Sequence, residues 1–413
     1  MCRPIFVAAT RQNVGKTTVS LALMSGLRKR FGKVGFIKPV GQQHVPVRTS
    51  DGKEIRVDKD VVVMKEYFGL DHMSYEHMSP VLVPKGYTKD FIDGKVDRQS
   101  QVDRIRESFA EIEKRSEVTL VEGTGHVGVG SIIDMSNAQT AALLGADVVL
   151  VANGGLGSAF DELEVNRVMC EKYGARVRGV IINKVRPEKL DMVRDYFGRA
   201  VEDRWGVPLL GVIDYLPLLS KPCLSDIEHV LGAQLISGVH CRPLHYSTED
   251  VEVVTTAPRR FLRKLRHNYD QGMRRPIYLT HCTRDDVVLA YLAFYQRVKH
   301  GRWEAAKSSI ADQAIAHERD EAWLGSLILC TGDAGRPSCA SNDDSAPLPY
   351  VLDLTESYGA PVMLTTLGTI PAYKAIQACS AKLHASDAQR VANAVAHYEP
   401  RIDFDKLLSS RSK

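Results

Sequence analysis

The chain begins with a strand-like run that leads into a short loop ending in Gly-Lys-Thr. The apolar run is Ile5–Ala9, the loop is Thr10–Val14, and the motif is Gly15–Thr18. Apolar residues then recur at helical spacing over Val19–Arg30, which predicts an amphipathic helix. A strand, a tight loop and a helix N-terminus in this order form a cup of backbone N–H groups that binds phosphate. The start of the chain is therefore predicted to be a nucleotide site.

Two side chains of this loop have roles that follow from their chemistry. Lys16 is expected to neutralise the outer phosphates, and the Thr17 hydroxyl is expected to reach Mg²⁺. The predicted nucleotide-binding residues of the loop are Asn13, Val14, Gly15, Lys16, Thr17 and Thr18. The spacing departs from the common motif, because Thr10 and not glycine stands five residues before Gly15. The alternative interpretation is a chance Gly-Lys-Thr that caps a helix.

Short apolar runs alternate with helical stretches through the first half of the chain. Runs that are so continuously apolar are typical of strands covered on both faces. Because helices lie between them, we expect an α/β fold with a doubly wound parallel sheet. The predicted strands are Ile5–Ala8, Val34–Ile37, Val118–Val121, Val148–Val151, Val177–Ile182 and Leu209–Ile213. A hairpin is also predicted, in which Val45–Val47 and Ile55–Val57 flank the turn at Ser50–Gly52.

Ser237–Pro243 is predicted to separate this domain from a second, smaller α/β domain. We expect the two domains to cover residues 1–240 and 241–413. The second is predicted to contain the strands Ile277–Thr280, Leu327–Cys330 and Val362–Thr365 and the helices Arg284–Val298, Tyr350–Ser357 and Pro371–Ala378. Asp387–Leu408 is predicted to be a closing helix that packs back. Ala334–Pro349 is rich in Gly, Pro, Ser, Asn and Asp, which predicts a surface loop.

Composition excludes several classes of partner. The net charge of +4 over 413 residues does not favour nucleic acid. No apolar run approaches the roughly 18 residues that span a bilayer, so no membrane partner is expected. The first strand begins too early for a targeting peptide, and the eight cysteines lack metal-ligand spacing. We therefore expect free thiols in the reducing environment of the cytoplasm.

Acidic residues near the predicted strand ends are candidates for holding Mg²⁺. Glu122 ends the third predicted strand and is followed by glycines, while Asp58 and Asp60 precede the apolar run Val61–Met64. Mg²⁺ on a nucleotide takes only one or two protein carboxylates beside a loop hydroxyl and waters. We expect Glu122 to be the strongest candidate, followed by Asp60 and then Asp58. The alternative is that these residues are solvated helix caps.

Polar residues follow other strands at the same predicted sheet edge. Lys38 follows the second strand, where ligands bind in parallel sheets, and is expected to reach a γ-phosphate or an anionic co-substrate. The alternative is a surface lysine before a proline. Asn183 ends the fifth strand and carries a donor and an acceptor for the edge of a purine base. His126, within the glycine-rich Gly123–Gly130, is interpreted mainly as a structural donor, and the basic stretch Arg259–Arg275 as a solvated helix face.

Four segments together resemble the dethiobiotin synthetase branch of P-loop proteins. These segments are Ala8–Thr18, Lys38–Val40, Val121–Gly123 and Asn183–Lys184. The resemblance implies that Lys16 and Thr17 hold ATP and Mg²⁺, and that Asp60 and Glu122 are the remaining metal ligands. It also implies that Lys38 acts on the carbamate and phosphate, and that Asn183 contacts adenine.

Two departures from that family resemble a different relative. Gln42 stands where the family has a serine shortly after Lys-Pro-Val, and the loop after Glu122 is longer and richer in glycine. Both features resemble the N-terminal region of long bacterial phosphotransacetylases, in which a DRTGG domain follows the first domain. Leu279–Asp286 looks like a degenerate form of the DRTGG signature. The chain stops at Lys413 without the acetyltransferase domain of those enzymes, so acetyl transfer is not expected.

These observations lead to a preferred functional hypothesis and two alternatives. In the preferred one, the chain is a Mg²⁺-dependent ATP-binding protein of the phosphotransacetylase N-terminal type, a metabolite sensor or weak ATPase. It would associate as a homodimer and respond to a small-molecule effector or substrate. The first alternative is an ATP-dependent carboxylase and cyclo-ligase of the dethiobiotin synthetase type, since Lys38 and Mg²⁺ can stabilise a developing phosphoryl charge. The second is a scaffold whose site has decayed.

Overall fold

The computed structural model describes residues 3–49, 51–300, 323–332, 347–379, 381, 383–385 and 387–409. The chain divides into two compact units. The first unit combines Met1–Leu216 with Leu383–Lys413, and the second unit is Pro217–Lys382. Among the described residues, we find no helix with the length and apolar character needed to cross a membrane. Most of the predicted loop Ala334–Pro349 lies outside the described residues.

Fifteen β-strands and fifteen α-helices lie within the described residues. The strands are β1 (Ile5–Ala9), β2 (Val34–Ile37), β3 (Val40–Gly41), β4 (His44–Arg48), β5 (Glu54–Asp58), β6 (Val81–Leu82), β7 (Val118–His126), β8 (Asp147–Asn153), β9 (Val177–Val185), β10 (Leu209–Asp214), β11 (Gln234–Ser237), β12 (Val251–Val253), β13 (Ile277–His281), β14 (Ser326–Cys330) and β15 (Val362–Thr365). The helices are α1 (Lys16–Arg28), α2 (Lys59–Phe68), α3 (Tyr75–Met78), α4 (Tyr87–Ile92), α5 (Arg98–Glu113), α6 (Asn137–Leu143), α7 (Gly157–Lys172), α8 (Leu190–Trp205), α9 (Leu224–Val230), α10 (Pro258–Asp270), α11 (Asp285–Lys299), α12 (Pro349–Tyr358), α13 (Thr369–Gln377), α14 (Ala388–Tyr398) and α15 (Phe404–Leu408).

The first unit is built on a six-stranded parallel sheet in the order β10-β9-β8-β1-β7-β2. All five residues of β1 are buried, as expected for a central strand with helices on both faces. The six predicted strands all form, and the predicted doubly wound parallel α/β fold is confirmed. Because β1 lies between β7 and β8, the loop after it opens at the middle of the carboxyl edge. That edge is where ligands bind in such sheets.

An insertion between β2 and α5 brings further polar residues to this edge. The predicted hairpin is present as the antiparallel pair of β4 and β5. The helix α2 starts directly after β5, and Asp58 is its N-cap. The apolar run Val61–Met64 belongs to this helix, and most of its side chains are buried. The hairpin therefore delivers Asp58 and Asp60 to the neighbourhood of the end of β2.

The second unit has a five-stranded sheet in the order β11-β15-β14-β13-β12. The strand β11 pairs with β15 in antiparallel fashion, while the other pairs are parallel. Buried apolar side chains form a core on each side of this sheet. The basic stretch at Arg259–Arg275 is largely α10, whose buried residues are Phe261 and Leu265, so its charged side chains form a solvated face.

The domain boundary differs from the predicted one at both ends of the second unit. It lies between Leu216 and Pro217, because β11 is an edge strand of the second sheet and its preceding residues go with it. The predicted linker Ser237–Pro243 is a turn inside this unit, in which Gly238 adopts φ 74°. In the sequence, the turn-forming residues of this segment therefore had the pattern of a linker between domains. At the other end, Leu383–Lys413 belongs to the first unit, not to the second as predicted.

The predicted closing helix consists of two helices, α14 and α15, separated by a turn at Glu399–Arg401. Pro400 lies in this turn, and a proline is unfavourable inside a helix because it lacks the N–H donor. This C-terminal segment packs on α1 of the first unit: the Ser25 hydroxyl donates to Glu399 Oε2 at 2.6 Å. The prediction that the segment packs back is confirmed, and its partner is the helix that follows the phosphate loop.

Candidate nucleotide site

The predicted phosphate loop connects β1 to α1 and leaves the start of α1 open. Asn13 has φ 61° and Gly15 has φ 98°, both in the left-handed region, so the loop turns sharply before the helix. Gly15 is the N-cap of α1, no side chain caps the helix, and its first turn contains no acidic residue. The first N–H groups of a helix need partners, and the helix dipole favours a negative charge there. The local structure is therefore suited to an anion.

Glu122, on β7, lies in the middle of a buried group of charged residues. Its side chain is fully buried; the Thr17 hydroxyl donates to Oε1 at 2.9 Å, and Lys16 Nζ lies 3.5 Å from the same oxygen. The second oxygen, Oε2, is buried without a hydrogen-bond partner. Burial raises the pKa of Glu122, with Lys16 opposing the shift and Asp60 adding to it. An orphaned carboxylate oxygen is costly, and a bound cation would satisfy it.

Lys38 is not a surface lysine, so that alternative is wrong. Its side chain is buried, its Nζ lies 2.9 Å from Asp58 Oδ1, and it also forms an ion pair with Asp60. Glu122 Oε1 is 3.8 Å away. Burial alone would lower the pKa of Lys38, but the three carboxylates outweigh it and raise the pKa above its ordinary value. Lys38 is thus a protonated, fixed cation at the carboxyl edge of β2.

The two aspartates of the insertion have different partners. Asp58 caps α2: its Oδ1 accepts the Asp60 N–H at 3.0 Å, and its Oδ2 accepts the Gln42 N–H at 3.0 Å. Asp58 is therefore a helix cap, but it is buried and paired with Lys38 and is not the solvated cap of the alternative interpretation. Burial by itself would raise the pKa of Asp60. The positive charges of Lys38 and, to a smaller extent, of Lys59 and Lys16 outweigh this effect, so the pKa of Asp60 is lowered. Asp60 is an ionised carboxylate beside Lys38 and Glu122.

Asn183 contacts the backbone of the phosphate loop. It is fully buried, its Nδ2 donates to the Val14 carbonyl at 2.7 Å, and its Oδ1 accepts the Lys184 N–H at 2.8 Å. Lys184 was not predicted as a site residue. Its Nζ donates to the Asn13 carbonyl at 2.6 Å, and burial together with Arg11 lowers its pKa. The signal in the sequence was the Asn-Lys pair at a strand end, which by itself is common.

Two further asparagines, neither of them predicted, hold the surrounding loops. Asn166 of α7 donates to the Thr10 carbonyl at 3.2 Å and accepts the Val127 N–H at 3.2 Å, which ties the phosphate loop to the glycine-rich loop. Asn137 donates to the His126 carbonyl at 2.7 Å. His126 itself is exposed, and its Nδ1 accepts the Gly128 N–H at 3.1 Å. Its ring thus has a structural partner within the loop, although it accepts where a donor was expected.

Residues 3–223 match the family model AAA_26, described as an AAA domain. The chain belongs to this family. It is 30% identical over 186 residues to the ATP-dependent dethiobiotin synthetase of Anaeromyxobacter sp., a match that covers 45% of this chain and 78% of the relative. It is 25% identical over 301 residues to the phosphate acetyltransferase of Nitratidesulfovibrio vulgaris, which covers 71% of this chain and 39% of that protein.

Other relatives are longer than this chain. The chain is 29% identical over 237 residues to a probable cobyric acid synthase of Methanothermobacter thermautotrophicus, covering 53% of this chain and 46% of the synthase, so it spans about half of that protein's length.

Among solved structures, MinD of Aquifex aeolicus is 16% identical with a TM-score of 0.31, over 52% of this chain and 84% of that chain. The first unit of the AAA_26 protein is therefore a P-loop nucleotide-binding domain with several enzyme relatives.

Proposed function

We propose that this AAA_26 protein binds ATP together with Mg²⁺ in the first unit. The observation that carries the proposal is the uncapped start of α1 directly beside Lys16, Thr17 and the buried Glu122. A triphosphate would supply the negative charge that these N–H groups lack and would become the partner of Lys16 in place of Glu122. Asn13, Val14 and Gly15 contribute the loop backbone, and Thr18 contributes the first turn of the helix.

The donor set of the site fits Mg²⁺. Within the described residues, no group of three or more His, Cys, Asp or Glu could hold a metal, so the ion would depend on few protein ligands. Thr17, Glu122 and Asp60 supply a hydroxyl and carboxylates, and Mg²⁺ prefers oxygen ligands with only one or two carboxylates. The unpartnered Oε2 of Glu122 is the specific feature that a cation would satisfy. When bound, the ion would neutralise charge on the phosphates.

Lys38 adds a second fixed cation to this site. Its network with Asp58 and Asp60 keeps it protonated and limits its movement. A cation at this position can contact an anionic group next to the outer phosphate, as Lys38 is expected to do. This supports a protein that binds ATP and hydrolyses it slowly, or that senses a metabolite through the same site.

The remaining elements of the proposal concern the whole chain. The second unit would be a DRTGG-like α/β domain that binds a small-molecule effector; its own five-stranded sheet and buried core support a separate domain. The protein would act as a homodimer. Cys170, Cys223, Cys241 and Cys330 carry free thiols, which supports a cytoplasmic location.

Calorimetric titration with ATP tests the proposal. We expect Mg²⁺-dependent binding to the wild type and none to Lys16→Ala at millimolar nucleotide. Lys189→Ala, which removes an exposed lysine, is the matched control and should bind like the wild type. A wild type that binds no nucleotide at millimolar concentration would contradict the proposal and favour the decayed scaffold.

A second candidate function is an ATP-dependent carboxylase and cyclo-ligase like dethiobiotin synthetase. The observation that favours it is the buried Lys38, held 3.8 Å from Glu122 at the edge where a carbamate would be phosphorylated. Gln42, in place of the family's serine, argues against the same substrate. Turnover of 7,8-diaminopelargonic acid with bicarbonate and ATP would establish this function, and nucleotide binding without turnover would favour the regulatory one.

A further inference from the structure

The insertion between β2 and α5 contains a pocket that is separate from the nucleotide site. The pocket has a volume of about 370 Å³ and lies between β5, β6, α4 and the first turns of α5. Pro80, Leu82 and Val96 form the apolar part of its wall. Pockets that bind small molecules in proteins start at roughly 300 Å³. This pocket therefore has room for a small metabolite.

The side chains around the pocket carry an excess of positive charge. Arg56, Lys95 and Arg104 line it, and the described lining contains one carboxylate, that of Asp97. Asp97 is already the N-cap of α5, where its Oδ2 accepts the Ser100 N–H at 2.8 Å. Lys95 pairs with two aspartates that do not line the pocket. Neither Arg56 nor Arg104 forms an ion pair in the described part of the chain.

Arg104 also borders a second pocket, which has the opposite charge. That pocket has a volume of about 550 Å³, and its described lining sets Glu76, Glu107 and Glu111 against Arg104 and Lys114. Its carboxylates would repel an anion. The smaller pocket is therefore the one of the two whose charge is suited to an anion.

The polar groups of the smaller pocket indicate what kind of anion it can bind. Arg56 comes from β5 and Arg104 from α5, and both side chains are exposed. A guanidinium group is planar and donates two parallel hydrogen bonds to a carboxylate or a phosphate. The Tyr87 hydroxyl, on a third element, is buried without a hydrogen-bond partner among the described residues, and a ligand oxygen that contacted it would satisfy it. These groups fit a small dianion with a short apolar body.

Hydrogen bonds connect one wall of this pocket to the nucleotide site. Ser79 lines the pocket, and its Oγ accepts the Asp58 N–H at 3.0 Å. The preceding residue, Met78, accepts the Lys38 N–H through its carbonyl at 2.9 Å. Asp58 Oδ1 in turn lies 2.9 Å from Lys38 Nζ. The segment that forms the wall therefore contacts both members of the Lys38–Asp58 ion pair.

Close packing adds a second connection between the pocket and Asp58. A Cβ at Gly41 would lie 2.8 Å from Asp58 Cβ and 3.0 Å from Leu82 Cδ2, so both side chains pack directly against this glycine. Leu82 also lines the pocket. Because a packed interior leaves little free space, a ligand that shifts Leu82 or Ser79 is expected to shift Asp58 as well.

We propose that this pocket binds a small dianion, either a dicarboxylate or a phosphate monoester, and that the bound anion changes the affinity of the nucleotide site. The anion would bind through Arg56 and Arg104 and would act on Lys38 through Ser79 and Asp58. The effect on affinity rests on the proposed nucleotide binding, whereas the anion site itself does not. This site lies within the first unit and is independent of any ligand of the second unit.

Calorimetric titration with succinate and with glycerol 3-phosphate tests the site and distinguishes a carboxylate ligand from a phosphate ligand. We expect at least one of these probes to bind the wild type, and Arg56→Gln and Arg104→Gln to weaken its binding by about tenfold. Arg48→Gln on the same hairpin and Arg106→Gln on the same helix are the controls. Both positions are exposed and outside the pocket, so these variants should bind like the wild type. Binding of neither probe at millimolar concentration would overturn the proposal.

The same titration on Lys16→Ala separates this pocket from the phosphate loop, which could also hold an anion. We expect Lys16→Ala to bind the probe as the wild type does, because Lys16 does not line the pocket. Loss of probe binding in Lys16→Ala, with unchanged binding in Arg56→Gln and Arg104→Gln, would overturn the proposal. Glycerol, which lacks the phosphate, should not bind.

Titration with Mg²⁺–ATP in the presence and absence of the saturating probe tests the effect on the nucleotide site. We expect the probe to change the nucleotide affinity of the wild type by about fivefold, and the nucleotide to change the probe affinity by the same factor. Ser79→Ala removes the acceptor of the Asp58 N–H and should bring this factor close to one. Ser100→Ala is the control, because Ser100 lines the same pocket from α5, and it should keep the factor.

The outcomes separate this inference from the proposed function. A wild type whose nucleotide affinity does not respond to the bound probe would overturn the effector role of the pocket. A wild type that binds the probe but no nucleotide would overturn only the proposed function.

Discussion

At the scale of single residues, the cost of burying charged side chains in the site is offset by the attraction between opposite charges. Lys38 is surrounded by Asp58, Asp60 and Glu122, whose charges exceed its own, while Lys16 supplies the second cation. Breaking a buried ion pair leaves an uncompensated charge, which costs more than the pair contributes. The same residues that are arranged for an anionic ligand therefore also determine the stability of the first unit.

Removal of Lys38 is expected to destabilise the first unit. Lys38→Met keeps the apolar stem but leaves Asp58 and Asp60 buried without their cation, so the free energy of unfolding should fall by about 3 kcal/mol. Urea denaturation followed by circular dichroism measures this change. Lys189→Met, at an exposed position, is the control and should leave the midpoint unchanged. A Lys38→Met protein as stable as the wild type would show that the network is not balanced as described.

Asp60 predicts a specific dependence of stability on pH. Its pKa is lowered in the folded protein relative to the ordinary value of 3.8, so its contribution is present above that value and is lost as pH falls through the folded pKa. We expect Asp60→Asn to lower the unfolding free energy at pH 7 and to flatten the acid side of the stability curve. Denaturant titrations from pH 7 down to pH 2 measure this. An equally steep acid limb in the variant would contradict the assignment.

At the scale of elements, continuous apolar runs identified all six strands of the first sheet, because central strands must be buried on both faces. The strands β11 and β12 were missed, since β11 is an edge strand and β12 has only three residues. Lys16 and Thr17 could be predicted because they start α1, and Glu122 because it directly follows the apolar run Val118–Val121, although the strand β7 continues past it to His126. The contact of Lys184 with the Asn13 carbonyl could not be predicted, because it joins distant segments of the chain.

The loop between β1 and α1 predicts a strong effect at Gly15. Gly15→Ala adds a Cβ at φ 98° that meets Asn183, so we expect the affinity for Mg²⁺–ATP to fall at least tenfold. Gly52→Ala is the matched control: its φ is 82°, but nothing lies within 4 Å of the added atom. Calorimetry on both variants separates the overlap from general backbone strain. Equal loss of affinity in both would refute the role of the close contact.

At the scale of the whole molecule, the first unit is assembled from two segments that the second unit separates in sequence. Local patterns cannot reveal this, because Ser25 and Glu399 meet only through the fold. The predicted assignment of residues 383–413 to the second unit was wrong for the same reason. The C-terminal segment covers α1, where the Phe404 ring fills the space above Gly26.

Loss of the Phe404 ring should weaken the packing of the C-terminal segment on α1. Phe404 is 4% exposed, so Phe404→Ala is expected to reduce the stability of the first unit by about 3 kcal/mol. Leu262→Ala provides the control, because Leu262 is 37% exposed. Differential scanning calorimetry of the full chain should show a lower transition temperature for Phe404→Ala alone. Identical thermograms for both variants would mean that the segment does not support the first unit.

The central claim is that the loop between β1 and α1 holds the phosphates of a metal-bound nucleotide. A crystal structure of the full chain with a non-hydrolysable ATP analogue and Mg²⁺ measures this most directly. We predict electron density for the outer phosphates against the backbone of Val14–Thr18, with the ion beside Thr17 and Glu122. Density for the nucleotide elsewhere, or an empty loop at saturating analogue, would contradict the claim.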